Sequence, residues 1–136
     1  MSSVIKQFLY VNRKAPYGTV YALESLEVVL IGAAFEQDVR LLFMDDGVFQ
    51  ITKGQDTADI GMKNFSPTYG ALGDYDVKYM YVCKQSLEER GLTVDDLLDL
   101  KWEDEDEDWA EKDSIILVDR EEMKSLMTDA DVVLSF

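Results

Sequence analysis

Five apolar runs of strand length recur along the chain, and segments with helical composition separate them. The runs are rich in β-branched and aromatic residues, which favour strands. They are continuous apolar stretches, a pattern typical of strands that are buried on both faces of a parallel sheet. The sequence predicts these strands at Val4–Val11, Asp38–Met44, Val77–Cys83, Ser114–Val118 and Asp131–Phe136.

Four helices are expected between these strands. Thr19 is a suitable N-cap for the first helix, and Gly91 follows the third at the position where glycine commonly ends a helix. The first helix has an unusually wide apolar face, which predicts either contact with both the sheet and a second surface or a central helix in a small domain. The expected helices are about Val20–Glu36, Phe65–Leu72, Lys84–Arg90 and Arg120–Met127.

The alternation of strands and helices predicts an α/β fold. A chain of 136 residues has the size of one domain, so we expect a single domain over residues 1–136. Its core is a five-stranded parallel sheet with helices on both faces. Residues 47–55 are expected to form a short apolar piece followed by a loop.

One acidic segment interrupts this pattern. Residues 95–113 hold eleven acidic and two basic side chains, and the run EDEDED at 103–108 lies between Trp102 and Trp109. Such a block repels itself, so we expect an insertion that forms a solvated loop or a frayed helix. A cation or a basic protein tail is an alternative meaning of the run, and tryptophan beside polar residues is favoured at protein interfaces.

Composition excludes several classes of function. The net charge of −15 argues against nucleic acid and anionic membranes as partners. The chain has no histidine, which removes the usual general base and the usual metal ligand. Cys83 is the one cysteine, so neither an internal disulfide nor a cysteine-based zinc site is possible. We therefore expect no metal site.

The N-terminal sequence MSSVIKQFLY lacks the basic segment and long apolar core of a secretory signal. The longest apolar stretch, residues 20–35, is interrupted by Glu24 and Glu27 and is too short to span a membrane. A lone cysteine also suits a reducing compartment. We expect a cytoplasmic protein.

Functional groups of a parallel sheet gather beyond the carboxyl ends of its strands. Cys83 lies there, between a predicted strand and a predicted helix, and it is the one strong nucleophile of the chain. A helix N-terminus favours a thiolate, and a persulfide carrier needs this location. The alternative is a buried structural cysteine, which is common.

Two other strand ends carry weaker signals. Asp45 and Asp46 resemble a phosphoacceptor pair, but receiver domains place their pair after the first strand, so a polar strand end before Gly47 is preferred. The loop Asn12–Thr19 includes Arg13 and Lys14 and lies before a predicted helix, where an anion would bind. It lacks the serine- and threonine-rich sequence of a flavodoxin and the glycine-rich phosphate motifs, so no cofactor is expected.

Several sequence blocks together resemble the DsrE/DsrF-like family, and within it the branch of DsrF and TusC proteins. The similarity covers nearly the whole chain apart from the acidic segment, and the APYGT and DDGVFQ motifs are its most specific part. The long acidic segment and NFSPTY make the DsrF side of the branch the closer match. The blocks are KAPYGTVYALESLEVVLIGAAF, LLFMDDGVFQITKGQ, NFSPTYGALGDYDV, CKQSLEERGL and the terminal DVVLSF.

The resemblance implies a function. DsrF proteins form a heterohexamer with DsrE and DsrH subunits, and the complex relays persulfide sulfur to a DsrC-like carrier in sulfur oxidation. The related Tus complex passes sulfur to TusE for 2-thiouridine in tRNA. On this basis the chain is a component of a sulfurtransferase complex rather than a stand-alone enzyme.

The resemblance also bears on Cys83. The essential cysteine of these complexes belongs to the DsrE or TusD subunit, eight residues before a glycine that closes the next helix. Cys83 stands eight residues before Gly91. A structural subunit is therefore the expectation. Two alternatives stay open, a TusC-like subunit of the tRNA relay and a persulfide carrier that uses Cys83 itself.

Overall fold

The computed structural model describes residues 6–13, 37–51 and 77–135. The helices expected at about 20–36 and 65–72 lie outside these residues. The described helices are α1 (Lys84–Glu89) and α2 (Arg120–Asp129), with 3-10 helices at Asp45–Ile51, Val94–Asp96 and Glu105–Glu107. The described strands are β1 (Gln7–Asn12), β2 (Asp38–Phe43), β3 (Met80–Cys83), β4 (Lys101–Asp104), β5 (Ala110–Asp113), β6 (Ile115–Val118) and β7 (Val132–Ser135).

Five strands form one sheet in the order β6-β3-β2-β1-β7, and every neighbouring pair is parallel. The central pair, β1 and β2, is in register from Gln7 opposite Asp38 to Asn12 opposite Phe43. β6 and β7 are the edge strands among the described residues. The expected five-stranded parallel sheet is confirmed.

Both faces of the sheet are buried, because successive side chains of a strand point to opposite faces. One face, here called face A, carries Tyr10, Leu41 and Met80, and Leu87 of α1 packs on it. The opposite face, face B, carries Leu9, Leu42 and Cys83, and Met123 of α2 packs there. The expected helices on both faces are thus confirmed, and continuous apolar runs follow from burial on two sides.

Element ends differ slightly from the sequence expectation. β3 begins at Met80 rather than Val77, because the ladder with β2 begins with the Leu41–Met80 pair, although Val77 itself is fully buried. A 3-10 helix over Asp45–Ile51 replaces the expected apolar piece and the start of the loop. Its Val48 and Ile51 are completely buried against face A, which explains why this stretch coils onto the sheet. None of the described helices is long and apolar enough to cross a membrane.

The EDEDED run is largely exposed to solvent, as expected, but the acidic segment forms neither a loop nor a frayed helix. β4 and β5 form an antiparallel hairpin, with Lys101 opposite Asp113 and Asp104 opposite Ala110. The repulsion within the EDEDED run is offset by Lys112, whose Nζ atom lies 2.7 Å from Asp104 Oδ2 and 2.8 Å from Glu107 Oε2. The hairpin brings this lysine back to Asp104, eight residues earlier in the chain.

The two tryptophans that flank the run have different environments. Trp109 is 60% exposed, as expected for a tryptophan at an interface. Trp102 is buried, which corrects that expectation for this residue. Its ring meets the ring of Tyr79 edge-on at 6.0 Å, and Lys78 Nζ lies 4.9 Å from the ring centroid. Through these contacts, the hairpin packs against Lys78 and Tyr79, which directly precede β3.

Candidate functional site

Cys83 is the last residue of β3 and the N-cap of α1. The chain stays extended at this residue, with φ −68° and ψ 116°, and the helix begins at Lys84. Its neighbour across the ladder is Val118, the last residue of β6. The sequence prediction therefore placed the thiol correctly, at the carboxyl edge of the sheet and directly before a helix.

The thiol is enclosed. Cys83 is 2% exposed and belongs to the apolar cluster of face B, which includes Val11, Leu42, Val118 and Met123. The Sγ atom lies 3.8 Å from Oε1 of Gln85, a distance at which a thiol donates a weak hydrogen bond. A partner protein thus has no open route to the sulfur in this conformation, and the surroundings are those of a core cysteine.

Lys84 is the nearest cation to Cys83 in sequence. Its side chain is exposed, and it makes no hydrogen bond or ion pair with any residue of the described ranges. α1 is only six residues long. Within the described residues, the hydrogen bond of the Cys83 thiol is made with Gln85 and not with Lys84.

Asp45 and Asp46 are engaged in ion pairs. Arg13 Nε lies 3.1 Å from Asp45 Oδ2, and the Nη2 atom of Arg90 lies 3.0 Å from Asp46 Oδ1. Arg90 also donates from Nη1 to the carbonyl oxygen of Ser86 at 3.1 Å. The two aspartates thus tie the end of β2 to β1 and α1. This agrees with the structural interpretation preferred from sequence over a phosphoacceptor pair.

Ser86 and Gly47 complete the contact between the end of β2 and its neighbours, and sequence reasoning missed the role of both. The Asp45 amide donates to the buried Ser86 Oγ at 2.9 Å. Gly47 packs against β1 so closely that a Cβ atom there would lie 1.9 Å from the carbonyl oxygen of Asn12. The sequence signal for Gly47 was present, but it indicated a turn rather than a close approach of two backbones.

At the end of β6, the described residues form a helix cap. Asp119 caps α2, since its Oδ1 accepts from the Glu122 amide at 2.8 Å and Glu122 Oε1 accepts from the Asp119 amide at 3.3 Å. The loop Asn12–Thr19, which the sequence made only a weak candidate for an anion site, lies outside the described residues beyond Arg13. Within the described ranges, no group of three or more acidic or cysteine side chains is arranged to hold a metal ion.

Comparison with known proteins decides the family. The family model of the DsrE/DsrF-like family matches residues 6–136. The chain belongs to the DsrE/DsrF-like family. This confirms the resemblance that the sequence blocks indicated.

Proteins similar to this chain include DsrF and TusC proteins. The intracellular sulfur oxidation protein DsrF of Allochromatium vinosum is 59% identical over 100% of both chains. A TusC homologue of Vibrio vulnificus is 37% identical over 94 residues, which are 69% of this chain and 80% of that protein. The region aligned with DsrF therefore includes the acidic hairpin, since it spans the whole chain.

A solved structure of similar fold supports the architecture. The crystal structure of the ychN protein from E. coli matches with a TM-score of 0.74 at 24% identity, over 98% of this chain and 100% of that chain. At this identity the match bears on fold alone. It agrees with the five-stranded parallel sheet described above.

Proposed function

We propose that this chain is a subunit of a DsrEFH-type heterohexameric sulfurtransferase complex that acts in cytoplasmic sulfur oxidation. The observation that carries the proposal is the 59% identity to the DsrF protein of Allochromatium vinosum over the full length of both chains. An alignment of this extent includes the acidic hairpin, which is the least typical part of the sequence. The chain acts as a single domain over residues 1–136.

The role of this subunit is mainly structural. Sulfur transfer between proteins requires a thiolate that can attack the terminal sulfur of a partner's persulfide, so the sulfur atom must be reachable. Cys83 is 2% exposed and lies among apolar side chains. A DsrE-like subunit supplies the reactive thiol, and this chain positions it.

The partners follow from the same proposal. They are DsrE-like and DsrH-like subunits within the heterohexamer, and a DsrC-like or TusE-like carrier protein that receives the sulfur. The chain alone is not a catalyst, and it requires neither a cofactor nor a metal ion. Nucleic acid and membranes are not direct partners, in keeping with the net charge of −15.

A TusC-like role in the tRNA 2-thiouridine relay is the second candidate. The 37% identity to a TusC homologue of Vibrio vulnificus favours it. That similarity extends over 69% of this chain, whereas the similarity to DsrF extends over all of it. The difference in coverage ranks the sulfur-oxidation complex first.

A persulfide carrier role for Cys83 is the third candidate. Its support is the position of the thiol at the carboxyl edge of the sheet, where functional groups of such folds gather. It requires that the cluster around Cys83 opens when the chain assembles with its partners.

The deciding experiment is intact-mass spectrometry of the complex, co-purified with its DsrE-like and DsrH-like subunits and incubated with a sulfur donor. We expect a mass gain of one sulfur on the DsrE-like subunit and none on this chain. A gain on this chain that disappears in Cys83→Ser would make it a carrier. Failure to co-purify with those subunits would contradict the proposed complex itself.

A further inference from the structure

The tip of the acidic hairpin, between β4 and β5, carries the most exposed large apolar side chain of the described residues. Trp109 is 60% exposed, whereas Trp102 at the other end of the EDEDED run is buried. An exposed indole keeps a large apolar surface in water, and covering it with a partner is favourable. Tryptophan is also among the residues that contribute most to binding at protein interfaces. Trp109 is therefore a candidate anchor for a protein partner.

The two tryptophans differ in their charged neighbours. The ring of Trp102 faces two lysines of the chain itself, with Lys78 Nζ at 4.9 Å and Lys112 Nζ at 5.8 Å from the ring centroid. Among the described residues, no lysine or arginine lies over the ring of Trp109. Since the face of an indole attracts cations, the exposed ring of Trp109 suits a cation from another molecule.

The hairpin also carries carboxylates that the chain does not neutralise. Lys112 contacts Asp104 and Glu107, and Lys101 contacts Asp113. Five further carboxylates are exposed, and their side chains make no hydrogen bond or ion pair within the described ranges: Glu103, Glu105, Asp106, Asp108 and Glu111. This uncompensated charge attracts a cationic surface and repels a second copy of the chain, whose net charge is −15.

Hydrogen bonds to Asp104 brace the tip. The Trp109 amide donates to the Asp104 carbonyl oxygen at 2.8 Å, and the Asp106 amide donates to Asp104 Oδ1 at 3.0 Å. Lys112 Nζ donates to the other oxygen of that carboxylate at 2.7 Å. Asp108 and Trp109 have φ values of 59° and 61°, which residues other than glycine rarely adopt unless their surroundings hold them. A surface that is ordered beforehand loses less conformational entropy when a partner binds.

We propose that the hairpin tip docks a basic, arginine-bearing segment of a partner protein. A guanidinium group of that segment stacks on the Trp109 ring, and neighbouring Arg or Lys side chains pair with the free carboxylates of Glu105, Asp106 and Asp108. A planar guanidinium suits this place because it both stacks on an aromatic ring and binds carboxylates. The inference goes beyond the sulfur-relay role, since it does not depend on which thiol carries sulfur.

The test uses the full, isotopically labelled chain and three capped peptides, RGRGRGR, KGKGKGK and EGEGEGE. The chain has two tryptophans, so their indole N–H signals in NMR spectra give an internal comparison. We expect RGRGRGR to shift the Trp109 indole signal and the amide signals of residues 103–111, and to shift the Trp102 indole signal much less. RGRGRGR is expected to bind about threefold more tightly than KGKGKGK, because guanidinium stacks on indole and is more weakly hydrated than ammonium. EGEGEGE should not bind.

One pair of variants tests the aromatic contact. Trp109→Ala removes the exposed indole, and Leu134→Ala removes another exposed apolar side chain, on β7. We expect Trp109→Ala to weaken the binding of RGRGRGR about fivefold and to abolish the preference for arginine over lysine. Leu134→Ala should leave both unchanged.

A second pair of variants tests the charges. The double variant Glu105→Gln, Asp106→Asn removes two free carboxylates of the tip, and Glu88→Gln, Glu121→Gln removes two exposed carboxylates from α1 and α2. Both double variants change the net charge equally. We expect only the first to weaken binding, about threefold at low ionic strength and less at physiological ionic strength.

Three results would overturn the proposal. The first is equal binding of RGRGRGR by Trp109→Ala and the unchanged chain, which indicates attraction by net charge alone. The second is no measurable binding of RGRGRGR even at low ionic strength. The third is self-association that Trp109→Ala abolishes, because the occupant is then a second copy. Each result leaves the mass-spectrometry test of the sulfur-relay role unaffected.

Discussion

Residue 47 lies so close to the carbonyl oxygen of Asn12 that a Cβ atom there would stand 1.9 Å from it. The obstacle is backbone of β1 rather than a flexible side chain, so it cannot swing aside. The Met44 amide bonds to the same carbonyl oxygen at 3.0 Å, which holds the two segments in place. The contact fixes the chain where it leaves β2, next to the end of β3 that bears Cys83.

Gly47→Ala is expected to lower the free energy of unfolding by about 3 kcal/mol, because the methyl group must push two backbone segments apart. Gly91→Ala is the matched comparison. Gly91 has φ +67° and open space around its Cβ position, so alanine there costs only about 1 kcal/mol of backbone strain. Urea unfolding measures the loss of stability in both variants. Equal losses in the two variants would contradict the close approach at residue 47.

Trp102 and Trp109 form a second matched pair. Trp102→Ala is expected to cost about 3 kcal/mol, because it empties a buried position between Tyr79 and Lys78. Trp102→Phe costs less, since the indole N–H of Trp102 has no hydrogen-bond partner among the described residues. Trp109→Ala changes stability by less than about 0.5 kcal/mol. Chemical denaturation followed by circular dichroism compares the free energies of unfolding. A large loss of stability in Trp109→Ala would contradict the exposed position of that side chain.

The thiol of Cys83 is expected to react slowly in the folded chain. Its 2% exposure predicts alkylation by iodoacetamide at least about tenfold slower in buffer than in denaturing urea. Mass spectrometry at timed intervals measures the rate, with free cysteine in the same urea as the control for solvent effects. Rapid alkylation of the folded chain would instead support the carrier role of Cys83.

The hairpin is expected to loosen in acid. The hydrogen bond from Lys112 lowers the pKa of Asp104 below its ordinary value. The contribution of Asp104 to stability is therefore fully present above the pKa of an aspartate in the unfolded chain, which is about 4. It is lost as the pH falls through the lower pKa of Asp104 in the folded state. NMR titration of the Trp102 indole signal reports the change.

Two variants test whether Asp104 causes the loosening. Asp104→Asn should loosen the hairpin already at neutral pH, because it removes one of the two carboxylates that Lys112 contacts. Glu111→Gln removes the same charge from an exposed position in β5 and should leave the signal unchanged at neutral pH. An acid transition that persists unaltered in Asp104→Asn would assign it to other carboxyls.

The sequence predicted the main sheet well because each strand of the sheet is marked by a local run of apolar residues. Buried parallel strands appear as continuous apolar runs, and each run was placed within a few residues of the observed strand where both ends are described. The position of Cys83 between β3 and α1 followed from the same pattern. The helices expected at about 20–36 and 65–72 remain predictions.

The sequence by itself determined the α/β alternation, the family, and the placement of Cys83 at the carboxyl edge of the sheet. Only the tertiary structure decided that this thiol is enclosed, because Met123 of α2 reaches face B from a distant part of the chain. It also decided that the acidic segment is a hairpin, since the pairing of Lys112 with Asp104 and Glu107 exists only when two strands face each other. Periodicity records which side chains are buried, whereas contacts between distant segments depend on how the elements pack.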